Sequence, residues 1–239
     1  GEFKRFLAFS SIENMGIVFT AMGIGVLAEA TGHPDTALFA FAGLLFHVAS
    51  HALLKGMLFF GAGNVLHAVG HALLERLGGL SRRMPHTALA CFAAGAAISG
   101  LPPGNAFFGE LLLYVGAGLA VLSMPLPEAV WFCAAIAGLA FIGGLSAIGF
   151  TRAVGIVFSG EPRSADAASA HDPSPCMRAA MWLLFVCALG MGLGAPLAFT
   201  ALTPVIRELL AAPPTALPAL PAVAVNPVTL LTYAVWMAF

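Results

Sequence analysis

The stretch FHVASHALLKGMLFF, residues 46–60, places His47, His51 and Lys55 at intervals of four. On a helix, about 100° per residue brings all three within roughly 80° of one another on a single face. Imidazoles titrate near neutral pH. An ammonium withdrawn from water is relieved of its desolvation cost when it gives up its proton. The row could therefore pass a proton over roughly 12 Å. Two imidazoles at i, i+4 could instead chelate a metal, but a lysine is a poor neighbour for a cation and no acidic residue is adjacent. A third reading makes them two packing histidines and a snorkelling lysine. A position near the middle of an apolar run makes snorkelling difficult.

Three further places carry ionisable groups in apolar company. Glu110 lies in FFGELLLYVG, where a carboxylate could carry a proton or balance a cation. Glu13 lies in AFSSIENMGI beside Ser10, Ser11 and Asn14, placed to pair with a base on a neighbouring helix or to sit at a membrane interface. His67 and His71, with Glu75 a turn further on, fall where an apolar run gives way to basic residues. They read as a helix end at the interface, with proton uptake or metal binding as the alternatives.

The elements that must hold these residues follow from composition. The chain has 239 residues, 60% hydrophobic and 9% charged, with mean hydropathy +0.95. A soluble domain carries about 25% charged residues. A net charge of −1 points to no nucleic-acid partner. A bilayer core needs about 20 apolar residues per helix. Suitable runs cover residues 6–28, 37–66, 86–123, 129–158 and 177–202, and another begins near Val228. The third is too long for one straight span and contains GLPPGN at 100–105, where prolines remove backbone donors. The expected fold is an all-α polytopic membrane helix bundle. It has about five full transmembrane helices, a truncated sixth, and one helix broken at Gly100–Gly104. Such a break is tolerated only where protein or a water-lined cavity satisfies the freed backbone.

Three regions follow: a transmembrane core over 1–158, a polar loop over 159–176, and peripheral helices with a Pro-rich linker over 177–239. The loop reads as irregular and flexible, the linker as extended and external. If the N-terminal end is cytoplasmic, Lys4, Arg5, Arg76, Arg82, Arg83, Arg152, Arg163 and Arg178 all lie inside, eight of the ten basic residues. The positive-inside rule then fixes the orientation. Cys91, Cys133, Cys176 and Cys187 show no CxxC spacing and imply neither metal nor disulfide. The first residue is not Met and the last four are Trp236, Met237, Ala238 and Phe239, so a fragment of a longer polypeptide is expected.

KRFLAFSSIENMGIV, HALLKGMLFFGAGNVLHAVG, ERLGGLSRRMPHTALACF and AISGLPPGNAFFGELLLY occur in order over residues 1–125. Together they resemble the proton-translocating antiporter-like membrane subunits of respiratory complex I, of multisubunit sodium/proton antiporters and of membrane-bound hydrogenases. SIEN and the later GEPRS…HDPSP resemble the hydrogenase-4 and formate hydrogenlyase type most. The resemblance implies inverted five-helix repeats, each with a broken helix. It implies that His47, His51 and Lys55 form the family's histidine–lysine row and that Glu110 is the ionisable residue after the break. It also implies a subunit of a redox-driven complex in the bacterial cytoplasmic membrane, with other membrane subunits as partners and protons as cargo. No flavin, haem or iron–sulfur signature is visible, so no cofactor is expected in this chain. The alternatives are a sodium/proton antiporter subunit, a non-conducting anchor, and a metal-dependent membrane oxidase built on the two HxxxH pairs. The oxidase needs about eight histidine ligands, and the chain has seven His in all.

Overall fold

A computed structural model describes residues 1–102 and 104–210. The helix expected from Val228 and the Pro-rich stretch before it lie outside the described residues. Among the described residues eight α-helices follow in order: α1 Phe3–Ala30, α2 Pro34–Val69, α3 Pro85–Ile98, α4 Asn105–Ser123, α5 Leu126–Phe158, α6 Ala165–Ser169, α7 Pro175–Leu193 and α8 Ala195–Leu209. Five of these, α1, α2, α4, α5 and α7, are long and apolar enough to cross a membrane. The chain is a multi-pass, all-α membrane bundle.

Local chemistry sets the bounds. Pro34, Pro85 and Pro175 each open a helix at a position where the missing N–H costs nothing. α2 stops at Gly70, left-handed at φ 79°, whose N–H caps Leu66. α3 stops at Ser99, and Gly100 follows at φ 70°. The chain restarts as α4 at Asn105. The expected broken helix is therefore the pair α3 and α4.

Two expectations are corrected. The run 177–202 is not one span. α7 ends at Leu193, Gly194 interrupts it, and Pro196, which cannot donate, lies in the first turn of α8. The polar loop is not irregular throughout. It contains α6, whose N-terminus Ser164 caps through the Ala167 N–H at 3.1 Å. Asp172 accepts from the His86 and Thr87 N–H groups at 3.0 and 3.2 Å and from the Thr87 hydroxyl at 2.8 Å. It thereby caps α3 from 86 residues away.

The segments carrying most of the basic residues meet at one end of the bundle. Phe3 N–H bonds Ala72 O, Gly79 N–H bonds Ser159 O, and Arg163 donates to Leu74 O. Arg82 pairs with Glu161 at 3.2 Å.

The interior divides into two apolar clusters stacked along the helix axes. One joins Leu7, Leu54, Leu58, Cys91, Ile98, Phe150 and Met181. The other joins Ile17, Phe46, Phe108, Leu112, Leu139, Ala195 and Phe199.

Candidate functional site

The site lies at the level between those clusters. On α1 the clusters leave Ser10, Glu13 and Asn14 between Leu7 and Ile17. On α2 they leave His47, Ser50 and His51 between Phe46 and Leu54, with Lys55 at the edge. On α5 Ser146 falls between Leu139 and Phe150, and the α3–α4 break falls between Ile98 and Phe108. Each of these elements contributes polar atoms to one layer across the bundle.

His47, His51 and Lys55 do share a face of α2. The two imidazoles lie nearly parallel, with centroids 6.3 Å apart and ring planes at 7°. His47 is 1% exposed and Lys55 6% exposed, so the lysine does not snorkel. Its Nζ donates to the Leu7 carbonyl at 2.9 Å and to the Ser10 hydroxyl. It also stands 5.5 Å from the centre of the Phe150 ring, a cation–π contact that partly offsets lost hydration. Ser10 therefore links the lysine to α1, and Asn14 donates to Ser10 O at 2.8 Å. Glu13 is half-buried, and its Oε1 is shielded from solvent. The sequence left Glu13 open between a pairing and an interfacial role; its surroundings place it in the layer.

Glu110 is held by the break. Its carboxylate folds back over Gly100, where a Cβ would stand 2.6 Å from Oε2. Only glycine suits that place, since φ there is 70°. The preceding residue, Gly109, crosses α2 at close range. A Cβ on Gly109 would lie 3.1 Å from His47 N, and one on Gly43 would lie 2.8 Å from Gly109 O. Small residues let membrane helices approach in this way. The crossing sets the backbone of His47 beside that of Glu110.

Several buried polar atoms of this layer have no hydrogen-bond partner among the described residues. They are Glu13 Oε1, Asn14 Oδ1, both ring nitrogens of His47, Nε2 of His51, both amide atoms of Asn105 and Ser146 Oγ. Leaving one such group unpaired costs about 1–3 kcal/mol. Their concentration in one layer sets it apart from the apolar clusters on either side.

His67 and His71 are not brought to it. His67 is exposed in the last turn of α2, and His71 lies past Gly70, off the helix. The second HxxxH pair therefore does not share a helical face. Among the described residues no group of three or more His, Cys, Asp or Glu side chains converges to hold a metal.

Ser50, Asn105 and Ser146 are members that sequence reasoning did not single out, and Ser10 and Asn14 entered it only as neighbours of Glu13. Ser10 and Asn14 carried a signal, a spacing of four on the helix that also bears Glu13. Asn105 ended the quoted GLPPGN. Ser50 and Ser146, single hydroxyls in apolar helices, carried none.

Residues 1–138 match the family model described as NADH:quinone oxidoreductase/Mrp antiporter, TM. Hydrogenase-4 component B of Escherichia coli (strain K12) is 38% identical over 185 residues, covering 77% of this chain and 27% of that protein. Formate hydrogenlyase subunit 3 of the same organism is 32% identical over 201 residues, covering 81% of this chain and 32% of that protein. The chain thus spans about a third or less of these relatives. The Mrp complex from Dietzia sp. DQ12-45-1b shares the fold, with TM-score 0.64 at 19% identity over 86% of this chain and 46% of that one.

Proposed function

The chain belongs to the NADH:quinone oxidoreductase/Mrp antiporter transmembrane family, and from that premise we propose that it is part of a proton-translocating membrane subunit in a redox-driven complex of the hydrogenase type. The observation that carries this reading is the buried row on α2 set into a polar layer shared by α1, α2, α4 and α5. Lys55 holds the proton at the α1 side of the layer, with Ser10 and the Leu7 carbonyl as its hydrogen-bond partners. Glu13 supplies the counter-charge. A charge shift in a neighbouring subunit changes the energy of the ammonium by several kcal/mol at low dielectric. The proton then passes along His51 and His47 toward Glu110 at the break. The chain contributes no redox group of its own. Other membrane subunits of the complex supply the electron transfer. The basic end of the bundle, where the N-terminal segment and both polar loops meet, faces the cytoplasm of a bacterial cell.

The test is Lys55→Met in the full-length subunit within its complex. Translocation falls at least about tenfold while the complex still assembles. Undiminished translocation overturns the proposal. A second reading, transport coupled to a sodium gradient, is favoured by the antiporter half of the family description. Sodium-dependent proton movement by the purified complex, with no electron donor present, would establish it instead.

A further inference from the structure

The Leu7 carbonyl of α1 is the meeting point of three side-chain donors. Lys55 Nζ reaches it from α2 at 2.9 Å, and the hydroxyls of Ser10 and Ser11 each donate to it at 3.2 Å. Ser10 has a second contact, because its oxygen also accepts from Lys55 Nζ. Ser10 is 4% exposed, and the Asn14 amide donates to its backbone carbonyl at 2.8 Å. These two partners of the lysine differ in what they can do. A backbone carbonyl only accepts, whereas a hydroxyl donates and accepts, and its hydrogen rotates to suit. An ammonium has donors alone, but the neutral amine it leaves behind carries a lone pair. Of the two partners, only Ser10 can donate to that lone pair.

We propose that Ser10 is a positioning residue for proton release by Lys55, its hydroxyl serving both protonation states of the lysine nitrogen. This rests on the reading of Lys55 as a proton carrier. With the ammonium present, Ser10 accepts from Nζ and turns its own hydrogen to the Leu7 carbonyl. Once the proton has passed toward His51, the hydroxyl rotates and donates to the neutral amine. The Ser11 hydroxyl stays within reach of the Leu7 carbonyl, so that oxygen keeps a side-chain donor. Only a hydroxyl hydrogen has to move, and the lysine nitrogen stays in place for the next proton. Without the Ser10 hydroxyl, the amine lone pair would get no donor from either partner, in a buried place where an unmade hydrogen bond is costly.

The test compares Ser10→Ala, Ser10→Thr and Ser10→Val in the full-length subunit within its complex, with translocation measured per assembled complex. Threonine and valine have nearly the same shape, and only threonine keeps the hydroxyl. Ser10→Ala and Ser10→Val should each lower translocation about tenfold, and Ser10→Thr should stay within about threefold of the unaltered protein. A role in packing alone would slow Ser10→Thr and Ser10→Val alike, and that result overturns the proposal. Undiminished translocation in Ser10→Ala overturns it as well. Alanine only removes an oxygen, so it decides the matter if neither branched variant assembles. Lys55→Met is measured alongside. If it translocates normally, the reading of Lys55 as a proton carrier falls and the role of Ser10 falls with it. If it fails while Ser10→Ala is unaffected, only the role of Ser10 falls.

Discussion

Helices α2 and α5 are nearly equal in length, 36 and 33 residues, and both are apolar enough to cross a bilayer. Within their most apolar stretches, 56% of α2 is buried but only 17% of α5. α2 packs against α1, α3, α4, α7 and α8, whereas α5 turns Phe141, Leu145 and Ile148 outward. Hydropathy cannot separate the two, because lipid tails are as apolar as leucine. The separating feature is the polar and small residues. α2 buries His47, Ser50, Lys55 and Asn64, while α5 buries Ser146 alone among its polar residues. In this bundle the costly residues mark the central helix, since only protein neighbours can compensate them.

The largest expected effect on stability comes from the α2–α4 crossing. A Cβ on Gly43 would stand 2.8 Å from the Gly109 carbonyl and 2.9 Å from Leu113. The first neighbour is backbone and cannot rotate away. Gly43→Val should therefore cost about 2–3 kcal/mol, read as a lower unfolding midpoint in detergent. It should also slow proton translocation, because the same crossing sets His47 beside Glu110. A stable variant that translocates normally would break the claim that α2 is central by virtue of its close contacts.

Much of this was legible beforehand, for identifiable reasons. The row on α2 follows from spacing alone. The break follows from GLPPGN, where Pro102 and Pro103 remove backbone donors. The gathering of basic segments at one end follows from counting charges. What could not be read depends on partners distant in sequence. Nothing near Ser10 says that Lys55 will donate to it across 45 residues. Among 27 glycines, nothing local distinguishes Gly43 and Gly109, which are pressed against backbone, from Gly144, which faces open space. The interruption at Gly194 had a local signal in Pro196, but the apolar run continues straight through it and hydropathy hides it.

Asp172 makes a sharper and smaller test of what holds the central region. Its carboxylate receives three hydrogen bonds from the first turn of α3, and Thr87 in turn accepts from Asn64 of α2 at 3.3 Å. Asp172→Ala removes an N-terminal cap and should cost about 1–2 kcal/mol. Hydrogen exchange should rise at His86 and Thr87 first. Asp172→Asn should recover part of the loss, since the amide oxygen still accepts. If alanine changes neither exchange nor midpoint, the loop is not what fixes the start of the broken helix.

The smallest expected effect is the mirror of the first. Gly144 lies on the outward side of α5, and a Cβ there would meet nothing within 4 Å. Gly144→Val is the same chemical change as Gly43→Val on a helix of similar length and hydropathy. It should alter the unfolding midpoint by less than about 0.5 kcal/mol. The pair isolates contact from composition, because side-chain volume and apolarity are held constant between the two sites. A cost near that of Gly43→Val, measured in the full-length subunit, would mean that protein rather than lipid covers this face of α5. The contrast between the two helices would then be one of sequence position and not of environment.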